Sequence, residues 1–198
     1  MATDTQATAP ALKLYRLTVP QFEAMIAPGI FGDDRVELLG GVMIMMTQYP
    51  PHTFAEEQCS DALERLLNPA EWYVREEKPV HLGRSWRPEP DVAVVRGPRA
   101  AFATRTPRAE DLALLVEVAD TSYATDRGVK WRRYAAAGIP AYWIADLGKR
   151  RVEVFTGPTG RGKSARYQDV VEYGEEAEIP VAIDGREFGR IDVRPLFP

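Results

Sequence analysis

The sequence has very few residues that could form a disulfide or a soft-metal site. Cys59 is its only cysteine, and His52 and His81 are its only histidines. A single cysteine excludes an intrachain disulfide and is typical of proteins in a reducing cytosol, which is the expected location. Zinc sites need several closely spaced cysteine or histidine ligands, so the chain is not predicted to hold zinc.

The sequence also lacks a membrane-spanning or export segment. Its longest apolar stretches, such as VMIMM and LALLVEVA, are far shorter than the roughly 20 residues that cross a bilayer, so no membrane partner is expected. The stretch MATDTQATAPAL has neither the basic nor the apolar region of a signal peptide, and residues 1–12 are predicted to be a disordered lead. Residues 13–198 are predicted to form one domain.

The charge of the chain gives no overall attraction to nucleic acid, because the net charge is −4. The distribution is uneven, however. Between residues 84 and 108 there are six arginines against two acids. The arginines are Arg84, Arg87, Arg96, Arg99, Arg105 and Arg108. They form either a solvated loop or a rim that contacts phosphates, and the sequence leaves both interpretations open.

The order of predicted elements indicates an α/β fold. Gly40-Gly41, between RVELL and VMIMM, predicts a tight β-hairpin. Amphipathic spacing predicts a helix from Thr53 to Leu67, and the tail from Arg151 onward alternates like short strands. Strands therefore come first, a strand–helix–strand unit follows, and more strands end the chain, which favours a mixed β-sheet flanked by helices.

The strand–helix–strand unit spans residues 112–146. The apolar strand LALLVEVA is followed by a helix that begins at Thr121 or Ser122 and stops at Gly138, and then by the apolar segment AYWIA. Such a unit predicts two parallel strands joined by a right-handed crossover.

Three charged side chains of this region are candidates for chemistry. Glu117 lies inside LALLVEVA, where an acid is costly to bury unless it is paired or ligated. Asp91 opens the apolar run DVAVV, although an aspartate at a strand end is often a turn residue. The rise per residue of helix and strand brings Lys130 back to about the level of Glu117. The alternative for Lys130 is a surface ion pair with Asp126, four residues earlier.

Four segments between residues 35 and 147 resemble the Uma-two family of endonucleases, part of the PD-(D/E)XK restriction-endonuclease-like superfamily. They are RVELLGG, PEPDVAVV, LLVEVADTS and DRGVK…YAAAGIPAYWIADL. The resemblance implies a restriction-endonuclease-like mixed sheet flanked by helices. It also implies that Asp91 and Glu117 bind a metal together with a carbonyl such as that of Val118, that Glu37 approaches from the edge of the site, and that Lys130 completes it.

The chain departs from the family pattern in two places. The superfamily lysine lies two residues after the acid, where this chain has Ala119, and Lys130 on the helix is the replacement. Many relatives carry another acid just after the hairpin glycine, where this chain has Val42. If that acid binds metal in the relatives, the site of this chain is weaker.

The function implied by the resemblance is Mg²⁺- or Mn²⁺-dependent hydrolysis of DNA by an endonuclease. A homodimer is plausible because duplex DNA has two strands to cut. The alternative from another class is a catalytically inactive protein that binds nucleic acid or acts as a scaffold, and a third option is an RNA substrate. The two classes differ in whether Asp91 and Glu117 bind divalent metal.

Two further signals are given structural interpretations. GPTGRGKS, residues 157–164, has the spelling of a P-loop but is followed by the strand-like ARYQDVVEY instead of a helix, so a hairpin loop is predicted. His52 is predicted to cap or pack a helix start, with a substrate contact as the less favoured alternative, and Tyr134 and Tyr142 are predicted to pack in the core.

Overall fold

The computed structural model describes residues 13–47 and 49–198. The predicted disordered lead, residues 1–12, lies outside the described residues. The helices are α1 (Val19–Ile26), α2 (Pro50–Leu66), α3 (Tyr123–Thr125) and α4 (Trp131–Ala137), with a π-helical turn at Asp126–Lys130. The strands are β1 (Val36–Leu39), β2 (Val42–Met45), β3 (Trp72–Glu76), β4 (Val92–Arg96), β5 (Leu112–Ala119), β6 (Ala141–Asp146), β7 (Arg151–Thr159), β8 (Arg166–Gly174), β9 (Glu178–Ile183) and β10 (Arg186–Asp192).

A six-stranded sheet in the order β3-β4-β5-β6-β7-β8 forms the centre of the molecule. Strands β5 and β6 are parallel, and the other neighbours are antiparallel. Every residue of β5 and of β6 is buried, as expected for strands covered on both faces. The mixed sheet and the parallel pair predicted from the sequence are confirmed.

The sheet separates two apolar cores. Alternation along β4 sends Val92 and Val94 into the core under α2 and the β9–β10 hairpin. It sends Ala93 and Val95 into the core under α4. Asp91 lies directly before β4, at the end of the sheet, where its carboxylate meets both α2 and the end of β5.

The β1–β2 hairpin lies outside the central sheet and turns at Gly40 and Gly41, as predicted. Their φ angles are 60° and 80°, the left-handed values that a two-residue hairpin turn requires. A β-carbon on Gly41 would lie 2.8 Å from Arg16 Cβ, so glycine is also needed for space. Leu38 bridges to Arg87, and this contact brings the hairpin beside the segment that leads into β4.

Helix boundaries differ from the predictions by a few residues. Helix α2 begins at Pro50 instead of Thr53, because a proline in the first turn loses no helical hydrogen bond. The crossover helix begins at Tyr123, one residue after the predicted Ser122, and ends before Gly138, whose φ is 76°. None of the helices in the described part of the chain is long and apolar enough to cross a bilayer.

The segment GPTGRGKS is a hairpin connection, as predicted. Strand β7 continues through Thr159, and a short 3₁₀ turn at Gly162–Ser164 leads directly into β8. Because a strand follows the turn, the segment lacks the helix N-terminus that holds phosphate in a P-loop.

Candidate active site

The register of β4 and β5 brings Asp91 and Glu117 together. Val92 pairs with Val116, so extending this antiparallel register by one residue sets Asp91 opposite Glu117, with β-carbons about 5 Å apart. Both carboxylates are buried. The backbone N–H of Val118 donates a 2.6 Å hydrogen bond to Asp91 Oδ2, which fixes the orientation of that carboxylate.

Lys130 reaches the same carboxylates from the π-helical turn. Its Nζ lies 2.9 Å from Glu117 Oε2, 3.3 Å from Glu37 Oε1 and 3.7 Å from Asp126 Oδ1. The predicted return of Lys130 to the level of Glu117 is confirmed. The surface Asp126–Lys130 pair considered as the alternative is wrong, because Asp126 is 2% and Lys130 5% exposed. Single π-turns of this kind are frequent at functional sites.

Glu37 closes the site from the β1–β2 hairpin. Its Oε1 faces Lys130, and its Oε2 accepts a 3.2 Å hydrogen bond from the backbone N–H of Glu89. Val42, where relatives carry an acid, is not among the residues that line the cleft described below.

These side chains line a cleft of about 140 Å³ at the end of the sheet. Its polar wall includes Glu37, Asp91, Glu117, Asp126 and Lys130, and Val118 also lines it. The end of the hairpin and the start of α2 also line it, with Ile44, Met45, Met46, Thr47, Tyr49 and His52. All four predicted site residues and Val118 therefore meet in one cleft.

The electrostatics of the cleft favour a cation. Burial is the main cause that raises the pKa of Glu117 well above its usual range, and Asp91 and Asp126 add to it although Lys130 opposes it. Burial also raises the pKa of Asp126 to about 6. Burial lowers the pKa of Lys130, but the nearby acids Glu117 and Glu37 have the larger combined effect and raise this pKa well above its usual value. Lys130 is therefore cationic, and the buried carboxylates exceed the one ammonium that pairs with them.

His52 belongs to the site, whereas the favoured prediction for it was capping or packing. Its Nε2 lies 3.3 Å from Asp91 Oδ2, and the ring also hydrogen-bonds to the backbone of Val118. Burial lowers the pKa of His52, but the contact with Asp91 raises it above its usual value. One ligand atom each from His52, Glu56 and Asp91 lie within 4.8 Å of one another. The prediction of a capping or packing role misses this contact.

Tyr134 is the second unpredicted member of the site. Its hydroxyl donates a 2.6 Å hydrogen bond to Glu117 Oε1, so each oxygen of Glu117 accepts from a different side chain of the crossover helix. The prediction of core packing is correct for the ring, which is fully buried, but incomplete for the hydroxyl. Its position four residues after Lys130 was the available signal, since such residues share a helix face.

The cluster of six arginines does not surround this cleft, because none of them is among its lining residues. The loop after Arg96 leaves the far end of β4, roughly 16 Å from Asp91 at 3.3 Å per residue. Arg96 and Arg105 each form an ion pair with an aspartate elsewhere in the chain. A phosphate-contacting rim around the carboxylates is therefore not formed by these arginines.

Replacing Tyr134 by phenylalanine should destabilise the protein by about 1.5–3 kcal/mol, the usual worth of a hydrogen bond to a charged acceptor. Tyr142→Phe is the matched control, since the buried hydroxyl of Tyr142 donates a 3.1 Å hydrogen bond to the neutral backbone carbonyl of Asp126. That variant should lose only about 0.5–1.5 kcal/mol. Urea unfolding measures both, and equal losses would contradict a special role for the bond to Glu117.

Comparison with known proteins places the chain in a family. A solved structure titled as a putative nuclease belonging to DUF820 from Anabaena variabilis matches with a TM-score of 0.67 and 16% identity, over 91% of this chain and 97% of that one. At this identity the likeness shows the fold. No curated protein matches the sequence. A family model, Uma2, described as "Putative restriction endonuclease", matches residues 19–193. Because that match covers most of the sequence, the chain belongs to the Uma2 family.

Proposed function

We propose that this protein is an endonuclease that hydrolyses DNA phosphodiester bonds with Mg²⁺ or Mn²⁺. The observation that carries the proposal is the buried ammonium of Lys130, held 2.9 Å from Glu117 and 3.3 Å from Glu37 in the cleft that also contains Asp91. Membership of a family described as restriction endonucleases supports a nuclease.

Asp91 and Glu117 are the residues that would hold the cation, with the carbonyl of Val118. They fit a divalent ion because they are buried and line one cleft, and because burial and the neighbouring acids raise the pKa of Glu117, an unfavourable state for a carboxylate that a bound cation would relieve. Carboxylate and carbonyl oxygens are the donors that Mg²⁺ and Mn²⁺ prefer. When bound, such an ion supplies Lewis-acid stabilisation of a phosphoryl group and an activated water.

The protein side chains supply positioning and fixed charge. Lys130 would stabilise negative charge on the phosphoryl oxygens, and its contacts with Glu117 and Glu37 hold the ammonium in place before the reaction. Glu37 would orient the attacking water or a second ion. His52 and the Val118 N–H both contact Asp91 Oδ2 and so position that carboxylate.

The placement of Lys130 supports a catalytic protein over an inactive relative. Ala119 replaces the superfamily lysine on the strand, yet the helix delivers an ammonium to Glu117 at 2.9 Å. The site therefore contains a lysine ammonium although the strand position two residues after Glu117 is Ala119. We also propose a cytosolic, single-domain protein that acts as a homodimer, because two sites are needed to cut both strands of a duplex.

The test is cleavage of supercoiled plasmid, single-stranded DNA and RNA with Mg²⁺, Mn²⁺ or EDTA. Wild type, Lys130→Ala and Asp91→Ala are purified in parallel. We expect metal-dependent nicking of the plasmid by wild type alone. Equal cleavage by all three proteins would indicate a contaminant, cleavage of RNA alone would refute the DNA assignment, and no cleavage would favour a binding protein.

A further inference from the structure

A second groove lies beside strand β3, outside the candidate active site. Its lining includes three cationic side chains and two aromatic rings: Tyr73, Arg75, Lys78, Arg99 and Phe102. The groove has a volume of about 640 Å³, and no acidic residue is part of its lining. In a chain with a net charge of −4, a concave surface lined only by positive charge is a local feature that favours an anionic ligand.

Arg75 is the strongest indication of an anion site. It is only 8% exposed, and its Nε and Nη1 have no hydrogen-bond partner within residues 13–47 and 49–198. Burial lowers the pKa of Arg75, and the only group that opposes this effect is Tyr73, so no carboxylate compensates the guanidinium. An unpaired buried charge is costly, so an anionic ligand that these two donors reach by a rotation of the side chain would relieve that cost.

The aromatic rings hold two guanidinium groups in place at the groove. The guanidinium carbons of Arg75 and Arg99 lie 5.7 and 5.9 Å from the centre of the Tyr73 ring. The ring of Phe102 stacks on Tyr73 at 6.4 Å. Cation–π contacts orient a guanidinium through the ring face. Tyr73 also hydrogen-bonds to Arg75, whose Nε and Nη1 are left without a partner.

The groove lies on the same face of the sheet as the candidate active site. Arg75 pairs with Ala93, and Ala93 is two residues from Asp91 along the chain, a distance of about 7 Å. Phosphates on one DNA strand are about 3.4 Å apart along the helix axis. A strand cleaved at Asp91 therefore has further phosphates within reach of this face.

We propose that this groove binds phosphate groups of a nucleic-acid strand, with Arg75 and Arg99 as the phosphate ligands and Lys78 adding charge. The inference rests on the proposed function only in naming a nucleic-acid strand as the molecule that carries the phosphates. Arg99 belongs to the cluster of six arginines, so one member of that cluster has a phosphate-binding role away from the carboxylates.

The test is the binding of fluorescently labelled single-stranded and duplex oligonucleotides, measured by anisotropy in EDTA so that no cleavage occurs. Arg75→Met and Arg99→Gln are compared with wild type and with Arg186→Gln. Arg186 is the matched control because its guanidinium also lies over an aromatic ring, 4.5 Å from the centre of Phe188. It belongs to β10, outside the groove, and has an acidic partner in Glu71.

We expect about tenfold weaker binding for Arg75→Met and for Arg99→Gln, and no change for Arg186→Gln. The slope of log K against log salt should become shallower by about 0.7 for single strands and 0.9 for duplex per lost phosphate contact. The melting temperature of Arg75→Met should not fall, because methionine removes an unpaired buried charge. Arg99 is exposed, so its variant gives a result that does not depend on the folding of Arg75→Met.

Unchanged affinity and salt slope in Arg99→Gln and Arg75→Met would overturn the proposal. A second result would also overturn it. If inorganic phosphate raises the melting temperature of wild type but not of Arg75→Met, and both proteins bind oligonucleotides equally well, the groove binds free phosphate and not a nucleic-acid strand. The two proposals can also fail separately. If these variants bind oligonucleotides more weakly in EDTA but wild type cleaves no DNA, the nuclease function is refuted and the groove remains a phosphate-binding site.

Discussion

Lys130→Met is expected to slow cleavage strongly and to destabilise the fold. Methionine keeps most of the length of lysine but carries no charge, so the phosphoryl oxygens lose a fixed positive partner. Loss of one such partner lowers the rate about 10²–10³-fold. The variant also leaves Glu117, Glu37 and Asp126 buried without their shared ammonium, and breaking a buried ion pair from one side costs about 3–5 kcal/mol.

Two measurements separate these effects for Lys130→Met. Single-turnover plasmid nicking at saturating Mg²⁺ reports the rate, and urea unfolding reports stability. Lys163→Met, at an exposed lysine of the loop before β8, is the control and should change stability by less than about 0.5 kcal/mol. Wild-type nicking by a folded Lys130→Met protein would remove Lys130 from the mechanism.

Asp91→Asn is expected to remove metal binding while the fold is retained. The asparagine carbonyl oxygen can still accept the N–H of Val118, which donates to Asp91 Oδ2 at 2.6 Å in the native protein. The cation loses a charged ligand, so its affinity should fall by at least about 100-fold. A bound metal stabilises the charge of the transition state by several kcal/mol, so its loss should lower the cleavage rate about 10²–10⁴-fold.

Calorimetric titration with Mn²⁺ checks the prediction for Asp91→Asn. Asp61→Asn, at an exposed aspartate on α2, should bind Mn²⁺ like wild type. Lys130→Met should not lose Mn²⁺ affinity, because lysine is not a ligand and removal of its charge beside Glu117 favours a cation; this difference separates the metal-binding role of Asp91 from the charge-stabilising role of Lys130. Wild-type Mn²⁺ affinity in Asp91→Asn would place the ion elsewhere.

Local patterns in the sequence were sufficient for the central sheet and for part of the site. LALLVEVA and AYWIA are continuous apolar runs, and both form strands buried on two faces. Gly40-Gly41 predicts the hairpin because only glycine readily takes positive φ at both positions of the turn. The contact of Lys130 with Glu117 follows from the rise of helix and strand, since the two residues belong to one strand–helix unit.

Contacts between distant segments were decided by the tertiary structure alone. His52 meets Asp91 only because α2 packs across β4 and β5, and the predicted start of α2 at Thr53 left this histidine outside the helix. Asp126 is buried because the π-turn faces the carboxylates, whereas its spacing from Lys130 is equally typical of a surface pair. Glu37 arrives with a hairpin that is not part of the central sheet.

The sequence by itself determined which strands are buried, where the hairpin turns, and that Asp91, Glu117 and Lys130 are candidates for one site. The tertiary structure decided which other groups surround that site and that Arg75 lies buried without a carboxylate partner. The physical reason is that periodicity and turn chemistry report the environment of each element, whereas the meeting of two elements depends on packing across the whole core.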